Sequence, residues 1–87
     1  MISETEVKTL LKNEIANKTE LPVESIDEEA HLADLGIDSL QALQLLVLLE
    51  RSYGITLNDE DLQHFRNINT LSSLVASRIQ GAAAAHN

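Results

Sequence analysis

The 87-residue chain contains no cysteine. That absence excludes a disulfide framework, a thiolate nucleophile and any cysteine-based zinc site. Thiol chemistry would therefore need a thiol supplied by an attached group. Aromatic side chains are almost missing too, with Tyr53 and Phe65 the only two. The core must be aliphatic, mostly leucine, and such cores are plastic rather than tightly specified. Basic residues are scarce: six Lys and Arg stand against fourteen Asp and Glu, giving a net charge of -8 and a pI near 4.6. This argues against nucleic acid and anionic membrane surfaces, both of which favour basic patches, and it favours electropositive protein partners. No apolar run reaches membrane-spanning length. The first ten residues, MISETEVKTL, lack the basic start and apolar stretch of a secretory signal. The expectation is a cytoplasmic monomer with no membrane insertion and no nucleic-acid partner.

What is present is enough for one small domain burying roughly 60% of its unfolded surface. Its centre is Leu35 to Tyr53, LGIDSLQALQLLVLLERSY. Gly36 marks a tight turn. Asp38 is placed to cap a helix, and Gln41 three positions on completes a capping-box-like D-x-x-Q. Ser39 then falls in the first turn, where free N–H groups and the positive end of the helix dipole favour an anionic substituent. A phosphate ester on that hydroxyl would be at home there, although Asp38 repels it somewhat. At about 100° per residue, Ala42, Leu45, Leu46, Leu49 and Tyr53 gather on one side as a core stripe, while Leu40, Leu43 and Val47 point the other way among Gln44 and Arg51. A helix apolar nearly all round is buried or has a partner. In so short a chain full burial is hard to arrange, so the outward stripe is read as a partner surface.

Around this centre the pattern is helical. Ser3 and Glu6 form an S-x-x-E box, and a first helix runs to about Asn17 or Lys18 with Val7, Leu10, Leu11 and Ile15 as its stripe. From Thr19 to Ile37 the period is lost. Pro22 stops the helix, and Ile26, Leu32 and Leu35 look like pins for a long acidic loop. After Gly54, which ends the central helix, Asn58-Asp59-Glu60-Asp61 begins a short helix with Leu62 and Phe65 as its buried pair. The acidic run lacks the glycine and terminal glutamate of an EF-hand and reads as a solvated helix start. His31 has no second His or Cys at ligand spacing and reads as a plain surface residue, and His64, on the short helix, reads as exposed or packed rather than catalytic. Thr70 caps a last helix carrying Leu71, Leu74, Val75 and Ile79, which Gly81 stops near Gln80. The fold class is all-α: a small antiparallel bundle of three longer helices plus one short helix, with a long loop between the first and second. Residues 1–80 form the domain, and residues 81–87 are a low-complexity, disordered tail.

D-L-G-I-D-S-L, from Asp34 to Leu40, resembles the modification motif of acyl carrier proteins. The likeness runs from about Glu6 to Ile79, taking in Leu21-Pro22, the loop pins, E-R-S-Y-G-I, the N-D-E-D turn and the Thr70 helix. It implies that Ser39 carries 4′-phosphopantetheine from coenzyme A, attached by a phosphopantetheinyl transferase, with Asp38 and Gly36 as motif residues. The terminal thiol of that group would hold an acyl chain as a thioester, which fits a chain without cysteine. Leu40, Leu43 and Val47 would then meet acyl-loading and chain-processing enzymes of the synthase and transferase type, with Asp34, Asp38 and Glu50 meeting their basic residues. No catalytic constellation and no metal ligand set is implied, so the chain is not an enzyme. Fatty-acid carriers usually place acids on the outer face of this helix, whereas this chain has Gln41, Gln44 and Arg51. That tilts the expectation toward polyketide or mixed polyketide–nonribosomal peptide biosynthesis. A fatty-acid carrier, an aminoacyl or peptidyl carrier, and an unmodified interaction bundle stay open as alternatives.

Overall fold

A computed structural model describes residues 3–58 and 66–85. Three long helices are found there: α1 (Glu4–Thr19), α2 (Ser39–Tyr53) and α3 (Ile68–Ala85). No strand occurs among the described residues. The short helix expected around Leu62, His64 and Phe65 lies outside the described residues.

Helix α1 starts at Ser3, whose Oγ accepts from the Glu6 N–H at 3.3 Å. It runs one to two residues past the end expected from sequence. The stop is Glu20, a non-glycine residue at φ 62° whose N–H donates to the Ala16 carbonyl at 2.8 Å. A side chain in the left-handed region costs on the order of 1–2 kcal/mol. The only legible punctuation nearby is Pro22, which lies outside the helix.

The α1–α2 loop is not bare. It holds two 3-10 turns, Val23–Ser25 and Leu32–Leu35. Ile26 and Leu32 are buried pins as expected, Leu35 is half-buried, and Ile37 is a further buried anchor. The core joins these residues to Val7, Leu11 and Ile15 of α1, Leu45 and Leu49 of α2, and Leu71 and Val75 of α3. Helix α1 packs chiefly against α3. Every long side chain in this buried set is aliphatic.

Helix α3 departs from expectation at both ends. Its cap is Asn67, not Thr70. Asn67 Oδ1 accepts from the Thr70 N–H at 2.8 Å, and Thr70 Oγ1 accepts from the Asn67 N–H at 3.2 Å. Thr70 thus occupies the third helical position of a reciprocal box, a place more often held by Glu or Gln. At the other end Gly81 does not stop the helix, which continues to Ala85. An interior glycine costs only about 1 kcal/mol relative to alanine, and the four alanines that follow are the best helix formers.

Candidate functional site

The site is built where the loop hands over to α2. His31 caps the start of the second 3-10 turn, its Nδ1 accepting from the Ala33 N–H at 3.1 Å. Gly36 ends that turn at φ 94°, a conformation L side chains rarely adopt, and its N–H donates to the Ala33 carbonyl at 3.1 Å. Ile37 then drops into the core, and its N–H donates to the Leu32 carbonyl at 3.0 Å. With Ile37 held inside, Asp38 and Ser39 are turned outward, and both are exposed.

Asp38 forms the capping box expected of it. Its Oδ1 accepts from the Gln41 N–H at 2.8 Å, and Gln41 Oε1 accepts from the Asp38 N–H at 3.0 Å. Ser39 is the first residue of α2. The N–H groups of Ser39 and Leu40 fall among those that a helix leaves without an internal partner, so the exposed hydroxyl stands at the positive end of the helix. A phosphate ester fits this position because those N–H groups and the helix dipole favour an anion there, against some repulsion from the neighbouring Asp38 carboxylate. Among the described residues the Ser39 hydroxyl has no hydrogen-bond partner, and the arrangement presents it to solvent. Among the described residues no cluster of His, Asp and Glu could hold a metal ion.

Along α2 the two stripes separate as the spacing indicates. Leu45, Leu46 and Leu49 are buried, while Leu40, Leu43 and Val47 are 64%, 46% and 43% exposed. The stripe begins one residue from Ser39 and continues down the same helix. Asp34 is exposed on the turn preceding it. Glu50 is turned inward instead. It is half-buried, and its Oε2 accepts from the Leu57 N–H at 3.1 Å, strapping the chain that leaves α2. Lys18, from the last turn of α1, donates from Nζ to Gln44 Oε1 at 3.1 Å, placing an ammonium group beside the outward stripe. The sequence carries no signal for this cross-helix contact, nor for the cap at His31. Ile37 could have been found, as an apolar residue between the turn glycine and the cap.

Comparison with known proteins agrees with this geometry. The family model described as phosphopantetheine attachment site matches residues 9–76. An acyl carrier protein of Phytoplasma australiense is 35% identical over 63 residues, covering 71% of this chain and 78% of that protein. Polyketide-8 synthase acyl carrier protein 2 of Streptomyces avermitilis is 30% identical over 73 residues, covering 83% and 84%. A non-reducing polyketide synthase of Emericella nidulans is also 30% identical over 73 residues, but those residues are only 3% of its length. Among solved structures, the HMG-ACPI domain from the CurA module of Lyngbya majuscula superposes with a TM-score of 0.78 at 22% identity, over 93% of this chain and 82% of that one. At that identity the likeness concerns the fold.

Proposed function

The chain belongs to the phosphopantetheine attachment-site family as an acyl carrier protein, and from that premise we propose that Ser39 is the residue bearing the prosthetic group. The family carries 4′-phosphopantetheine. Its role is that of a carrier and not of a catalyst. The observation that supports Ser39 is its position: an exposed hydroxyl at the first residue of a capped helix, beside Asp38 and three residues after Gly36. When bound, the group supplies the thiol that the cysteine-free chain lacks, and this thiol takes the acyl chain as a thioester. The chain's own residues do the rest. Gly36 and Ile37 aim the hydroxyl outward, Asp38 fixes the helix start, and the free N–H groups of the first turn stabilise the phosphate.

The partners proposed are a phosphopantetheinyl transferase, acyl-loading enzymes and chain-processing synthases. They would dock on Leu40, Leu43 and Val47, with Asp34 and Asp38 near the attachment point. Burying one such apolar side chain is worth about 1.5–3 kcal/mol, enough for three of them to dominate a transient encounter. The cargo proposed is a polyketide or mixed polyketide–peptide intermediate. Support comes from the polyketide carriers among the relatives and from glutamine, not acid, at positions 41 and 44. The domain proposed to do this work is residues 1–80.

The test is an intact-mass measurement after incubation with coenzyme A and a broad-specificity phosphopantetheinyl transferase. The expected result is one phosphopantetheine adduct on Ser39, and none on Ser39→Ala. Loading trials with malonyl, long-chain acyl and aminoacyl donors then separate polyketide, fatty-acid and aminoacyl carriers by the mass gained. An unmodified wild-type chain would leave only an interaction bundle.

A further inference from the structure

The outward face of α2 is not uniformly acidic, and the order of its charges describes the surface that would meet it. Near Ser39 lie two exposed carboxylates, Asp34 and Asp38. Leu40, Leu43 and Val47 follow. Five residues after Ser39, about 7.5 Å along the axis, Gln44 holds the Lys18 ammonium by the 3.1 Å contact to its Oε1. Arg51, exposed, falls on the same stripe about 18 Å from Ser39. Among the described residues neither Lys18 nor Arg51 joins an ion pair. Glu50, the acid nearest Arg51 in sequence, is half-buried with one carboxylate oxygen committed to the Leu57 N–H. Seen from outside, α2 runs from negative at the attachment end, through an apolar middle with the Lys18 ammonium at its side, to positive at Arg51 at its far end.

We infer that the enzyme docking on this face is itself graded: basic beside the entrance that receives the Ser39 arm, apolar opposite Leu43 and Val47 with an acid in reach of Lys18 between them, and acidic where it meets Arg51. An evenly basic groove would set like charges against Lys18 and Arg51, and such a mismatch works against a partner. The gradient also fixes direction, because a partner laid along α2 the other way would face a like charge at each end. This inference rests on the proposed docking role of the α2 face.

The probe is a pair of synthetic amphipathic helical peptides of about 20 residues, long enough to span roughly 30 Å. They share one leucine face and one composition. In the first, lysines gather at one end and glutamates at the other; in the second they are interleaved. Titration into the isotopically labelled chain, followed by amide chemical shifts, reads affinity and position together. The expected result is that the segregated peptide binds about three- to ten-fold more tightly, the size of one or two exposed charge pairs. The variant Lys18→Glu with Arg51→Glu removes that preference, and Val47→Glu weakens both peptides. Equal or reversed affinities, with both peptides still weakened by Val47→Glu, overturn the charge gradient and leave the docking face standing. Binding that ignores Val47→Glu, or no shifts along α2 with either peptide, overturns the docking face itself. None of these outcomes bears on attachment at Ser39, which the intact mass decides separately.

Discussion

Asp38 and Ser39 are neighbours at the start of α2, yet their roles are separable. The cap belongs to Asp38, through its 2.8 Å acceptance from the Gln41 N–H, while the Ser39 hydroxyl takes part in no described hydrogen bond and faces solvent. Ser39→Ala should therefore leave the melting temperature nearly unchanged, within the roughly 0.5 kcal/mol typical of surface substitutions. Asp38→Ala should lose about 0.5–2 kcal/mol as the cap disappears, lowering the melting midpoint seen by circular dichroism by several degrees. A clear loss of stability in Ser39→Ala would mean that its hydroxyl serves the fold. Tyr53 offers a second check at this scale. Burial pushes its phenol above the ordinary value of 10.0, and the nearby Glu6 charge adds to the effect. A raised folded value means that the associated stability is present below pH 10 and is lost as pH rises through the folded value. The phenolate absorbance of the single tyrosine should accordingly appear at higher pH in the native chain than in urea.

Helix α2 has one side in the core and an apolar stripe on the other that is exposed, and its sides should respond differently to truncation. Leu49 is fully buried in the aliphatic core, so Leu49→Ala should cost about 2–5 kcal/mol. Leu43 is nearly half exposed, and Leu43→Ala should cost well under half as much in thermal or urea unfolding. Equal costs would mean that the outer stripe is packed. This division is legible in the sequence because a 100° step separates Leu45 and Leu49 from Leu43 and Val47 without knowledge of any neighbour. The Asp38–Gln41 box and the turn at Gly36 are legible for the same reason, as both are local. What escapes is decided by contact or by competition. The left-handed Glu20 ends α1 with no glycine to announce it, and Asn67 takes the cap that Thr70 offers in sequence because Thr70 can reciprocate from inside the helix. Gly81 fails as a stop because its small helical cost is set against a run of alanine. The Lys18–Gln44 contact joins residues 26 apart, which no periodicity reveals.

At the scale of the whole molecule, the long loop is held in place at Glu28. Its carboxylate pairs with Lys12 and, at 3.4 Å, with Lys8, both on α1. Its carbonyl accepts from the Asn69 N–H at 3.2 Å, at the start of α3. Two further bonds tie the same stretch to the α3 end: Asn67 Nδ2 donates to the Glu29 carbonyl at 3.4 Å, and the Leu32 N–H donates to the Arg66 carbonyl at 2.9 Å. The loop that delivers Ser39 is thus fastened to α1 by charge and to the start of α3 and the residues before it by hydrogen bonds. The Lys12 hydrogen bond, helped by the charges of Lys12 and Lys8, holds the Glu28 carboxyl below its ordinary 4.5. Because the folded value is the lower one, the stabilisation is present above pH 4.5 and is lost as pH falls through the folded value. Glu28→Gln should therefore melt below wild type at neutral pH, and the gap should close as pH falls from 4.5 through the lowered folded value. Salt should narrow it too, since the half-buried pairs still face solvent, where charges are screened within a Debye length of about 10 Å at 0.1 M. Faster amide exchange at Leu32 and Asn69 in Glu28→Gln would show that the loop has loosened from α3 as well as from α1. A gap that stays constant from about pH 7 to about pH 3 would place the carboxylate outside the forces that hold the loop.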